Sequence, residues 1–101
     1  MSYLITIKIR GDVDTFTRAL SERGDEFAAV VAHSQAAGAI HHRFGVGDDF
    51  VLVVDEWKTV EGFQRFFGDA KMREFVASVG ADISTPPEIT VAKAIRSADE
   101  F

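Results

Sequence analysis

The sequence predicts an α+β fold of two layers, a four-stranded antiparallel sheet with helices packed on one face. Three observations predict it. Period-two runs rich in β-branched residues recur four times along the chain. Apolar residues at helical spacing fill the stretches between the first and second runs and between the third and fourth. A Gly-Asp pair joins the two middle runs as a hairpin. With 101 residues there is room for one core, so residues 1–101 are expected to form a single domain.

Tyr3 to Ile9 alternates, with Tyr3, Ile5, Ile7 and Ile9 on one face and Leu4, Thr6 and Lys8 on the other, and forms the first strand. After Arg10-Gly11, Asp12 or Asp14 caps a helical segment whose apolar stripe runs through Val13, Phe16, Leu20, Phe27, Val30, Val31 and Ser34. Gly24 is where that segment can divide, since glycine costs up to about 1 kcal/mol relative to alanine inside a helix. Gly38 suits the left-handed position just past the helix end. Ile40–Val46 and Asp49–Trp57 are the hairpin strands, with Gly47-Asp48 as a two-residue type II′ turn. Val46 then opposes Asp49, Phe44 opposes Val51, His42 opposes Val53 and Ile40 opposes Asp55. Thr59 caps a helix carrying Val60, Phe63, Phe66 and Phe67, and Gly68-Asp69 interrupts it before a second piece with Met72, Phe75, Val76 and Val79. Thr85-Pro86-Pro87 is extended and leads into a last strand, Glu88 to Ile95. Residues 96–101 are expected to be a loose tail unless Phe101 docks.

Strand, helix, strand, strand, helix, strand is the split βαβ order, a ferredoxin-like βαββαβ sandwich. Its third strand carries large apolar residues on both faces, so the face that the helices leave bare needs a cover. On the expected register that face holds Ile40, Phe44, Val51, Val53 and Trp57. A homodimer that closes sheet face against sheet face into an α+β barrel supplies the cover.

Composition narrows the function classes. Eleven Lys and Arg against sixteen Asp and Glu leave a net charge of −5, which offers no field for phosphate backbones or anionic lipid, so neither nucleic acid nor membrane is expected as a partner. No cysteine is present, which removes disulfides, thiolate metal sites and cysteine nucleophiles. The opening residues run straight into an apolar alternation without the basic region or small-residue cleavage site of a secretory leader, and a cytoplasmic protein is expected. No phosphate-binding glycine loop, nucleophile elbow or zinc signature occurs, and no cofactor is expected.

The hairpin Gly38 to Trp57, ending Val53-Val54-Asp55-Glu56-Trp57 and followed by a capped helix with Phe63 and Phe67, resembles the dimeric α+β barrel superfamily, and within it the antibiotic biosynthesis monooxygenase-like domains. The resemblance spans nearly the whole chain in element order. It implies a cavity between helices and sheet or inside the barrel, lined in part by the Trp57 strand, and activities that include cofactor-independent oxidation of aromatic polyketides. Where haem-degrading and quinol-oxidising relatives often carry histidine on the helix after the Trp, this chain has Gly62, Phe63, Phe66 and Phe67.

Few residues here can carry chemistry. His41 and His42 are adjacent in a strand and point to opposite faces, so they cannot chelate one metal, and no metal site is expected. His42 faces the dimer side of the sheet, with Asp55 as a diagonal cross-strand neighbour, and a histidine oriented by a carboxylate is a common form of general base. The plainer reading is that the two satisfy each other or a backbone group at an interface. Trp57 suits a stacking platform for a planar ligand and equally a hydrophobic anchor. Phe44 and Val53 share its face, and Tyr3 is a candidate cavity hydroxyl. Arg43 and Glu56, on the opposite face, are expected to form a solvated or intersubunit ion pair. Two functions fit. One is a cofactor-independent monooxygenase-like enzyme, in which His42 and Asp55 take a phenolic proton from an aromatic or quinol-like substrate beside Trp57 and Phe44. The other is a non-catalytic homodimer that binds a small hydrophobic or aromatic ligand, or serves as an interaction module.

Overall fold

The computed structural model describes all 101 residues. Strand β1 (Tyr3–Arg10) is followed by helices α1 (Val13–Glu22) and α2 (Gly24–Ala37) and by strands β2 (Ala39–Val46) and β3 (Phe50–Trp57). Helices α3 (Val60–Phe67) and α4 (Ala70–Ser78) then lead to strand β4 (Glu88–Lys93). The sheet order is β2-β3-β1-β4 with every pair antiparallel, which is the expected ferredoxin-like arrangement. No helix is long and apolar enough to cross a membrane.

Side-chain caps fix where the helices start. The Asp12 carboxylate accepts the N–H groups of Asp14 and Thr15 at 3.0 and 3.3 Å and opens α1. Gly24 divides the first helical segment, as its low propensity predicts, and opens α2. Thr59 Oγ1 accepts the Gly62 N–H at 3.0 Å, and an Asp69 carboxylate oxygen accepts the Lys71 N–H at 3.0 Å, so the aromatic segment splits into α3 and α4 at Gly68-Asp69. Gly38 closes α2 at φ 120°, a conformation that side-chain-bearing residues rarely adopt.

The hairpin departs from the expected turn. Strand β2 ends at Val46, β3 begins at Phe50, Val46 pairs with Val51, and Gly47 does not take a positive φ. The cause lies in β1. Gly11 N–H donates to the Asp49 carbonyl at 3.0 Å, and Arg10 Nη1 donates to both Asp49 carboxylate oxygens at 2.9 and 3.1 Å, which draws Asp49 out of the hairpin ladder. The register is therefore displaced by two residues from the expected one. A shift of two leaves every side chain on its own face. It does change partners: Asp55 stands directly opposite His42, and Val53 opposite Phe44.

The covered face is also the reverse of the expected one. Ile5, Ile7, Val51, Val53, Asp55 and Trp57 are buried beneath the helices, where Phe63 of α3 packs with one group and Phe16 and Ala19 of α1 with the other. The open face carries Leu4, Thr6 and Lys8 of β1, Phe50, Leu52, Val54 and Glu56 of β3, and His41 and Arg43 of β2. Charge decides between the two. Burying Lys8, Arg43 and Glu56 without partners costs more than leaving Leu4 and Val54 half exposed, at 49% and 46%. Within the chain Arg43 and Glu56 do not pair: Arg43 stands opposite Val54, and Glu56 accepts a hydrogen bond from the Ser2 hydroxyl. Strand β4 stops at Lys93, two residues short of the expected Ile95, and Phe101 is fully exposed.

A bulge in β2 matters for the site. Ala39 pairs with Trp57, but His41 pairs with Glu56, so Ile40 is an extra residue. In a regular strand, residues three apart face opposite ways. The bulge lets Ala39 pack on the Trp57 core cluster and His42 reach Asp55 on the same face.

Candidate functional site

Asp55 lies at the centre of the covered face. It is buried, with 8% of its surface exposed, on a strand flanked by β1 and β2. A carboxylate there requires donors, and it has two. His42 Nδ1 lies 2.7 Å from Oδ1, and Trp57 Nε1–H donates to Oδ2 at 3.1 Å. Both donors follow from sheet geometry, since His42 is the direct cross-strand partner and Trp57 is two residues along the same strand on the same face. A carboxylate is acceptor-only, so the neutral His42 ring carries its proton on Nδ1 and offers Nε2 as an acceptor.

An apolar cavity of about 90 Å³ lies between the helices and this face of the sheet. Its wall combines Phe27, Val30, Val31 and Ser34 of α2, Phe63, Phe66 and Phe67 of α3, and Met72, Phe75 and Val76 of α4 with Phe44, Val51 and Val53 of the sheet; His42 and Asp55 also line it. The His42 side chain keeps 31% of its surface exposed and packs edge-on against Phe44, with ring centroids 4.5 Å apart. The volume is below the roughly 300–1,000 Å³ of common ligand pockets, so a substrate much larger than one ring must displace part of the wall. Helix α4 is the wall with least to hold it, having no buried residue.

The site residues read from the sequence are thus sorted by the fold. His42, Asp55, Phe44 and Val53 come together on the cavity wall, but under the helices and not on the open face of the sheet. Trp57 does not line the cavity. It is fully enclosed by Phe63 and Phe66, with ring centroids 5.5 Å away in each case, and has no face free for stacking, so its part is to anchor the core and to hold Asp55. Tyr3 stands opposite Trp57 at the end of β1, packs against the same core and is absent from the wall. Gly62 stands where a helix histidine could have been, and the packing explains it: a Cβ there would lie 2.4 Å from the Ala37 carbonyl oxygen at the end of α2. Sequence reading passed over Ser34 as a site residue, although its position was a signal. It is a polar residue on the apolar stripe of Phe27, Val30 and Val31, and it is buried on the cavity wall.

No protein-family model matches the chain, and no curated protein matches it in sequence. Solved structures do. The monooxygenase from the gene ActVA-Orf6 of Streptomyces coelicolor, solved with the ligand nanaomycin D, is 14% identical over 99% of this chain and 93% of that one, with a TM-score of 0.68. SnoaB, a cofactor-independent oxygenase from Streptomyces nogalater, is 13% identical over 98% and 96%, with a TM-score of 0.59. A dimeric ferredoxin-like protein from an uncultured marine organism is 16% identical over 95% and 93%, again with a TM-score of 0.59. Proteins of unknown function share the architecture as well. At these identities the likeness is one of fold. That fold is the ferredoxin-like α+β one.

Proposed function

We propose that this chain, on the fold it shares with those two oxygenases, is a monooxygenase-like small-molecule enzyme that needs no cofactor and takes an aromatic or quinol-type substrate into the cavity beneath its helices. The observation that carries this reading is the Asp55 clamp. Asp55 holds His42 by Nδ1 on the wall of an apolar cavity, which leaves Nε2 to accept a proton from a ligand hydroxyl. Asp55 then stabilises the imidazolium that forms, and Trp57 keeps the carboxylate in position. Deprotonation makes the substrate ring electron-rich enough to reduce dioxygen directly. For a ring methylene, four electrons pass from carbon to dioxygen; one oxygen atom remains as the new ketone, and the other leaves as water with the two hydrogens. Apolar walls such as Phe44, Val53 and Phe75 keep bulk water from reprotonating the carbanion. We read the open face of Leu4, Leu52 and Val54 as a homodimer surface, a reading supported by the dimeric state of one structural neighbour.

The test is oxygen uptake over a panel of hydroxylated aromatics by the wild type and by His42→Ala and His42→Asn. The expected result, measured on folded protein, is turnover that falls about a hundred- to ten-thousandfold in both variants, alongside a lower melting temperature from the lost His42–Asp55 hydrogen bond. Wild-type turnover in either variant sinks the proton-transfer role. Binding without any oxygen uptake by the wild type would favour the non-catalytic ligand-binding module.

A further inference from the structure

We propose that the cavity selects the reduced, hydroxylated form of an aromatic ligand over its oxidised quinone, because the polar atoms at its His42 end all accept hydrogen bonds, with Ser34 as a second acceptor beside His42. The proposal rests on the cavity being the ligand site. Ser34 is a buried side chain, 8% exposed, on the cavity wall. Its hydroxyl proton is committed to the Val31 carbonyl at 2.7 Å, so the oxygen has only lone pairs left to offer. In its neutral form His42 donates through Nδ1 to Asp55 and presents Nε2 as an acceptor. Both Asp55 oxygens and the Trp57 N–H are already paired.

Chain topology brings Ser34 and His42 to the same end. Helix α2 ends one turn beyond Ser34, the chain reverses at Gly38, and His42 lies near the start of β2. Arg10 is the wall side chain that has donors, but it is held by Asp49. It also lies five residues along β1 from Ile5, the cross-strand partner of Asp55, or roughly 17 Å at strand spacing. A diphenol supplies the two missing donors at the His42 end. A quinone brings two carbonyl oxygens against two acceptors and leaves all four unpaired, so the site holds it more weakly than the diphenol.

The experiment is calorimetric titration under anaerobic conditions with hydroquinone, catechol, phenol and 1,4-benzoquinone, on the wild type, Ser34→Ala and Ser34→Thr. The chain has no cysteine to add to the quinone. The expected result is that the better of the two diphenols binds at least about tenfold more tightly than the quinone, the fold-change of one unmade hydrogen bond. Ser34→Ala lowers that diphenol to the affinity of phenol and leaves phenol unchanged, while Ser34→Thr, which keeps the oxygen, retains the preference. Equal binding of diphenol and quinone overturns the proposal, as does binding of no aromatic at all. Equal weakening of phenol and diphenol in Ser34→Ala also overturns it, because that marks a packing role. Should Ser34→Ala fail to fold, the wild-type diphenol-to-quinone ratio and Ser34→Thr decide alone. A diphenol preference without oxygen uptake refutes the oxygenase reading only, whereas oxygen uptake without the preference refutes this inference only.

Discussion

Replacing Asp55 by asparagine changes one atom and should separate stability from proton transfer. The carboxylate accepts from two donors, His42 Nδ1–H at 2.7 Å and Trp57 Nε1–H at 3.1 Å. An asparagine has one acceptor oxygen and one amide nitrogen. The indole has no other tautomer, so the oxygen must face Trp57 and the amide must donate to His42 Nδ1. The imidazole proton is then forced onto Nε2, and the ring loses its free acceptor. In stability, two charge-assisted bonds worth about 1.5–3 kcal/mol each become neutral ones worth about 0.5–1.5 kcal/mol each, a loss of roughly 2–3 kcal/mol. For a domain of this size that lowers the melting temperature by roughly 8–20 °C. Asp55→Ala should cost more, about 3–6 kcal/mol, because the buried Trp57 N–H is then left unpaired as well. Urea denaturation gives the stability terms, nitrogen-15 correlation spectra of the imidazole give the tautomer, and oxygen uptake gives the rate. An Asp55→Asn protein whose His42 proton stays on Nδ1, or whose turnover is unchanged, would refute the clamp.

Other perturbations probe the remaining parts of the structure. Trp57→Ala should destabilise the fold by about 3–5 kcal/mol in urea denaturation, in keeping with a fully enclosed ring, and any loss of ligand affinity should follow the loss of folded protein. Gly62→Ala should cost about 1–3 kcal/mol by the same measurement, since its methyl would press on the Ala37 carbonyl oxygen. The carboxyls of Asp12, Glu26 and Asp82 are held below their usual values, by the Thr15 backbone N–H, by the Arg23 guanidinium and by Ser84 respectively. Their folded values are lower than their unfolded ones. Their contribution is therefore complete above the ordinary carboxylate values of 3.8 for aspartate and 4.5 for glutamate and is lost as pH falls below them; Asp12→Asn should flatten part of that acid limb in a melting-versus-pH series. Sedimentation velocity should give twice the 11.1 kDa of one chain, and Leu4→Lys with Val54→Lys should return the protein to a monomer.

Much of this molecule is legible along the chain because its causes are local. Gly24, Gly38, Thr59, Asp69 and the alternation of Tyr3 to Ile9 act within a few residues of themselves, and they account for the element order and most boundaries. Pairing of His42 with Asp55 on one face was also legible, because side-chain parity survives a two-residue shift in register. The direct contact between them was not. It depends on Asp49 being drawn to Arg10 and Gly11, residues about forty positions away in sequence, and on the bulge at Ile40.

Which face of the sheet the helices cover was decided only by the tertiary structure. Both faces of β3 are apolar enough to be buried, so no count along one strand separates them. The choice rests on the sum over strands, since Lys8, Arg43 and Glu56 meet on one face once β1, β2 and β3 are aligned and keep it from under the helices. That same alignment encloses Trp57 and brings Ser34 and His42 to the wall of one cavity. By itself the sequence determined the βαββαβ order and the presence of a histidine and a carboxylate able to meet. The packing of the helices determined where they meet, because burial is a property of the assembled layers and not of any one strand.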